Sequence, residues 1–224
     1  MAGFVLPDEF CRECQGGVGV DGAALTAISR HGDLAMLASS DELSARVEEI
    51  ELTLGEGPSV DAFVAHRPVS AVDLSSAASA RRWPGFAAAA IGVGVGAAFA
   101  FPLLVGASCI GTLQLCRRLS GPLSTAQFRD AFRYAETGLW AVLDARAGIP
   151  ATGLDGTYLP LAGGQDEVYQ ASGMISVQLG VGVDEALVRL RAYAFSHDRP
   201  LNDVAHDVVV RRFRFNVADP AAGT

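Results

Sequence analysis

The sequence predicts an α+β domain, an antiparallel sheet with packed helices, followed by an all-α three-helix bundle. Three observations predict it. Short apolar runs of strand length alternate with helix-period segments over about the first 150 residues. Five glycines and two prolines then break the pattern over 147–164. The last 60 or so residues hold three segments whose apolar residues recur at helical spacing. The expected division is a domain at 1–146, a linker at 147–164, a bundle at 165–217 and a tail at 218–224.

Element by element, 23–29 and 34–40 read as strands around a turn at His31, Gly32 and Asp33. Residues 41–52 read as a helix, with Asp41 at its start and Leu43, Val47 and Ile50 on one face. Pro58 suits the opening of a helix over 59–66. A strand at 68–74 precedes a helix opened by Pro84 and ended by glycines. Residues 96–104 and 108–116 make a hairpin through Val105, Gly106 and Ala107. A long helix runs from Ser124, a candidate N-cap, to about Arg146. Within the linker, Tyr158, Leu159 and Leu161 suggest that part of it docks.

In the bundle, 165–179 carries Val168, Ala171, Ile175 and Leu179 in one stripe, and Gly180 is the expected stop. The second helix starts after Gly182, with Glu185 three residues on and Leu187, Leu190 and Ala194 facing inward. After a break at 197–200, Leu201, Val204, Ala205, Val208 and Val209 form the third apolar face.

Half of the 224 residues are hydrophobic, enough for a real core. The formal net charge of −8 excludes a generic polyanion binder, so any nucleic-acid contact must come from a local patch. All 17 basic residues are arginine, so every charged phosphate contact would be a guanidinium fork. Cys11 and Cys14 lack a second pair at zinc spacing; they read as two cysteines on a short amphipathic helix or as a redox pair. The 34 uncharged residues between Arg82 and Arg117 raise the question of a membrane span, but Gly92, Gly94, Gly96, Pro102, Gly106 and Gly111 point to short buried strands and turns. Asp8 and Glu9 stand where a signal peptide would have basic residues, so a cytoplasmic location is expected.

The runs GEGPSVDAFVAHRPVSAVDL, RWPGFAAAAIGVGVGAAFAFPL and GTLQL, in that order, resemble a GAF domain of the type common in actinobacterial regulators, over about 16–146. YQASGMISVQLGVGVDEALVRLRAYAFSHDRPLNDVAHDVV resembles an ANTAR domain, over about 165–212. That second resemblance implies a three-helix bundle that binds RNA hairpins in nascent transcripts and prevents termination. The chain departs from the ANTAR pattern at three seats: Ser172 replaces a lysine, Gly182 a capping serine and Pro200 a basic residue.

Together they imply a signal-responsive transcription antitermination regulator. RNA contact is expected through Tyr169, Ser172 and Gly173, which share a small neutral face with Ser176, through the adjoining Ala171, and through Arg189, Arg191, Arg199, Arg211 and Arg212. The charge supports the second group: 165–188 has four acids and no arginine, whereas 189–217 has six arginines against three aspartates. The GAF resemblance implies a small-molecule effector held over the sheet, with 73–96 as the place to look and Asp73, Trp83, Phe86 and Phe99 as candidate contacts. Trp83, Pro84 and Phe86 also suit lid packing. The cyclic-nucleotide signature of that family is absent, His31 and His66 are isolated, and no metal or cofactor is expected. Acid pairs such as Glu48 and Glu49 read as a solvated helix face. No nucleophile elbow, zinc-protease motif or P-loop appears, so an enzyme is not expected. The long helix and the family's two-hairpin RNA imply a homodimer. The alternative is a dimeric protein-interaction module whose bundle no longer binds RNA.

Overall fold

Helices cover the sheet from both sides, so its central strands are buried on both faces. The computed structural model describes residues 7–28, 34–146, 165–197 and 199–216 and divides into two units, Met1–Leu161 and Ala162–Thr224. The expected linker, the tail beyond Asn216 and the turn at His31 lie outside the described residues.

Unit 1 is built on β1 (Gly22–Ile28), β2 (Leu34–Ser39), β3 (Val69–Ala71), β4 (Ala97–Val105) and β5 (Ser108–Arg117), antiparallel in the order β2-β1-β5-β4-β3. Helices α1 (Pro7–Val18) and α6 (Thr125–Arg146) pack on one face, where Phe10, Leu25, Phe99, Phe101, Leu113 and Leu115 are buried. Helices α2 (Glu42–Leu54), α3 (Pro58–Ala65) and α5 (Pro84–Gly92) pack on the other, over Val47, Leu74, Trp83, Phe86 and Val95. The short α4 (Ala77–Arg82) precedes α5. Strand β4 explains the asymmetry: its large residues Phe99, Phe101 and Leu103 project toward α1 and α6, and its small Ala98 and Ala100 lie on the α3 side. The uncharged run is therefore α5, β4 and β5, the buried middle of the sheet. Among the described residues no helix is long and apolar enough to cross a membrane.

Local signals fix several boundaries. The Asp41 carboxylate accepts from the Ser44 N–H at 2.8 Å and opens α2. Ser124 opens α6 in a reciprocal box: the Gln127 N–H donates to Ser124 Oγ at 3.2 Å, and the Ser124 N–H donates to Gln127 Oε1 at 3.0 Å. Helix α4 carries no apolar period in sequence; the Ser76 hydroxyl, accepting from the Ser79 N–H, defines it instead.

Unit 2 is three helices, α7 (Gln165–Leu179), α8 (Val183–Ser196) and α9 (Leu201–Val209). Val168, Ala171, Ile175, Leu190, Ala194, Val204, Val208 and Phe215 form its core. Gly180, in the left-handed region with φ 68°, ends α7 as expected. Gly182 opens α8 without a side-chain cap.

Candidate nucleic-acid interface

Helix α7 contacts both of its neighbours, so its buried surface is wider than one stripe. Ala171 and Ser172 are both fully buried, and the Ser172 hydroxyl donates to the Val168 carbonyl oxygen one turn back at 2.8 Å. This corrects two expectations: Ser172 does not stand on an exposed neutral face, and Ala171 lies in the buried stripe rather than at a contact. Gly173 is half-buried, with open space where a side chain would stand. The Ser176 hydroxyl is spent on the Val181 carbonyl at 2.6 Å, closing the turn into α8. The side chain of Tyr169 lies outside the described residues.

The arginines divide into tied and displayed. Arg189 pairs with Glu185 at 2.6 Å along α8, and Arg199 with Asp207 at 2.7 Å. The Arg199 hydrogen bond holds the Asp207 carboxylate below its ordinary range. Arg191 is half-buried and carries contacts of its own. Beyond α9, the run Arg211, Arg212, Phe213, Arg214, Phe215 alternates: the phenylalanines turn in and the arginines out. Phe213 packs on Tyr193 with ring centroids 4.5 Å apart, and Phe215 is buried with its N–H on Gln178 Oε1 at 3.0 Å. Arg212 is 4.0 Å from Asp207 with its side chain 72% exposed. Arg211 and Arg214 are exposed and have no ion partner among the described residues. The exposure of Arg214 alongside Arg211 and Arg212 was missed by the sequence reading, although the alternation of arginine and phenylalanine was there to be read.

In unit 1 the four candidate pocket residues do not converge. Trp83 and Phe86 are buried under the α2, α3 and α5 layer, whereas Phe99 is buried on the opposite face. The Trp83 indole N–H donates to Asp61 Oδ2 at 3.2 Å, and that carboxylate also holds Arg82 at 2.6 Å. Asp73 is half-exposed; its carboxylate accepts from the Ser75 hydroxyl and N–H and from the Ser120 hydroxyl, which keep it below the ordinary range. These residues build the wall rather than line one cavity. An open depression of about 290 Å³ lies elsewhere, against Gly17, Asp130, Arg133, Tyr134 and Thr137 of α1 and α6. His66 is exposed at the end of α3.

The sequence reading also missed a buried acid pair. Glu48 is fully buried rather than solvated, and so is Glu51; Glu49 stays at the surface, 3.0 Å from Arg46. Glu51 accepts from the Ser59 N–H at 2.7 Å and from Gln114 Nε2 at 2.5 Å. Glu48 accepts only a long bond from the Ser59 hydroxyl, 3.4 Å, and its other oxygen has no partner. Burial pushes Glu48 up to about 8; burial and the neighbouring Glu48 push Glu51 well above the carboxylate range. Gly57 makes room for this pair: at φ 143° it has no Cβ, and one would stand 2.5 Å from the Glu51 carboxyl carbon. Cys11 and Cys14 are buried on the inner side of α1, and desolvation raises both thiols, Cys11 to about 12. No group of His, Cys, Asp and Glu among the described residues is placed to hold a metal.

Residues 164–209 match the ANTAR domain family. Unit 1 has the fold of GAF domains in solved structures. It is similar to the GAF domain of a phosphoenolpyruvate-protein phosphotransferase from Acinetobacter at 12% identity and TM-score 0.50, covering 69% of this chain and 90% of that one. A Coxiella burnetii GAF domain from the same kind of protein matches at 16% identity and TM-score 0.50, covering 63% and 82%. The GAF domain region of a Geobacter sulfurreducens membrane protein matches at 17% identity and TM-score 0.50, covering 61% and 89%. No curated protein matches the chain.

Proposed function

We propose that this chain, a GAF-like fold followed by an ANTAR domain, is a signal-responsive RNA-binding regulator that acts in transcription antitermination. The ANTAR match over 164–209 carries the reading. The arginines displayed beyond α9 support it, because phosphate contact needs cations that are not already neutralised. Both domain types are regulatory, so the protein is read as a regulator rather than an enzyme. It works in the cytoplasm on nascent hairpin RNA, as a homodimer, with unit 1 receiving a small-molecule signal or holding the dimer. Exposed Phe128, Phe132 and Trp140 on α6 support a dimer contact.

The burial of Ser172 favours one second reading, a protein-interaction module whose bundle has lost RNA binding. Filter binding of the full chain to a labelled pool of two-hairpin RNAs at two salt concentrations separates them. The RNA reading expects binding that weakens steeply with salt. A folded protein that retains no RNA of the pool at low salt sinks it.

A further inference from the structure

We propose that the turn after α9, outside the segment that matches the ANTAR family, is a phosphate-contacting site for RNA, made by Arg211, Arg212 and Arg214. The proposal rests on the RNA reading above and deepens it.

The backbone supplies the first observation. Helix α9 ends in a Schellman turn: the Arg212 N–H donates to the Asp207 carbonyl at 2.8 Å and the Arg211 N–H to the Val208 carbonyl at 3.1 Å. The residue at the pivot must be left-handed, and here it is Arg211, with φ 61°. Elsewhere in the chain α1, α2 and α7 end on left-handed Gly19, Gly55 and Gly180, and α3 ends on left-handed His66. Arginine has no local reason to stand in that seat, since its Cβ opposes the conformation and it lacks the short polar side chain of Asn or Asp. A strained residue held by its surroundings is a sign of a role for its side chain.

The display supplies the second. Phe213 on Tyr193 and buried Phe215 anchor the turn, so its arginines project from a fixed backbone. Arg189 and Arg199 are engaged by Glu185 and Asp207, whereas Arg211 and Arg214 have no ion partner among the described residues and Arg212 is only loosely held. Three guanidinium groups within four residues make a compact cationic tip on a chain whose net charge is −8. Guanidinium forks suit phosphate oxygens, and each phosphate neutralised adds about one unit to the salt slope.

The test uses the full chain with Arg211→Gly and Arg214→Gln. Arg211→Gly relieves the backbone while deleting the guanidinium, so a purely structural residue would yield a sturdier protein with unchanged binding. The expected result is a melting temperature equal to or above that of the parent, with affinity for the two-hairpin RNA pool about tenfold lower. The salt slope is expected to fall by about one unit per variant. Arg214→Gln repeats the loss of affinity and slope without touching the left-handed seat. If the parent binds RNA and both variants match its affinity and slope, the tip is not a contact and the proposal is overturned while the RNA reading stands. If the parent binds no RNA of the pool, both fall.

Discussion

Glu56 and Phe86 stand 30 residues apart and are joined by a hydrogen bond of 2.9 Å from the Phe86 N–H to Glu56 Oε1. The Gly85 N–H donates to the same oxygen at 2.7 Å. One carboxylate thus occupies the donors at the start of α5, where Pro84 has none to offer. The GEGP and RWPGF segments are two halves of one joint, closed a second time by Asp61 on Arg82 and Trp83.

The joint predicts that Glu56→Ala lowers unfolding stability by about 1–2 kcal/mol, the usual range for losing a helix cap. Glu56→Gln, which keeps an acceptor without the charge, recovers part of it. Urea denaturation of the three proteins measures this. Equal midpoints for parent and Glu56→Ala would remove the cap from the account.

The buried pair predicts a pH dependence. Glu48 rises from 4.5 unfolded to about 8 folded. Below the unfolded value both states hold the proton and burial carries no penalty. As pH rises between these values the unfolded chain ionises first, so stability falls through that window and levels above it. Glu51 shifts in the same direction. Glu48→Gln therefore flattens the profile and melts higher than the parent at about pH 9, with little difference at about pH 4. Parallel melting curves across that range contradict a buried proton at Glu48.

The four cysteines are buried and their thiols raised by desolvation, so thiolate is scarce in the folded state. A disulfide reagent at about pH 8 is expected to label none of them quickly in native protein and all of them in denaturant. Rapid native labelling of Cys11 or Cys14 would restore a redox reading of that pair.

Ser172 predicts that restoring the family's lysine does not restore a contact. Ser172→Lys must push an ammonium out of a fully buried seat, and is expected to lower stability by about 1–3 kcal/mol. Ser172→Ala, which loses only a bond to its own helix, stays within about 0.5–1 kcal/mol of the parent. Thermal melts rank the three. A Ser172→Lys protein as stable as the parent would place that side chain at the surface.

Much of the fold was legible because the signals were local. Asp41, Pro58, Ser124 and Gly180 mark helix ends by their own chemistry, and the bundle helices follow from apolar spacing alone. The sites were less legible because their partners are remote. Glu48 reads as solvated on its helix; it is buried beside Ser59 and near Gln114, which holds Glu51 from 63 residues away. Ser172 lies one turn from Val168 and beside Ile175, yet only the fit of two neighbouring helices decides that the stripe widens to include it. Phe99 and Phe86 look alike as pocket residues, but alternation along β4 turns Phe99 toward α1 and α6, whereas Phe86 stands on α5 over the opposite face of the sheet. The arginine tip was half visible in the charge count; what the count lacked was which cations were already engaged.

Strand β1 lies between β2 and β5, and its Thr26 meets Thr112 across 86 residues of sequence. A chain emerging from the ribosome thus presents α1, β1 and β2 long before the strand that completes them exists. The first sheet core cannot close until β5 has been made, and until then the hairpin of β1 and β2 has one open edge. Truncations that stop before β5 should be aggregation-prone for that reason, while the local contacts of α7, α8 and α9 impose no such wait.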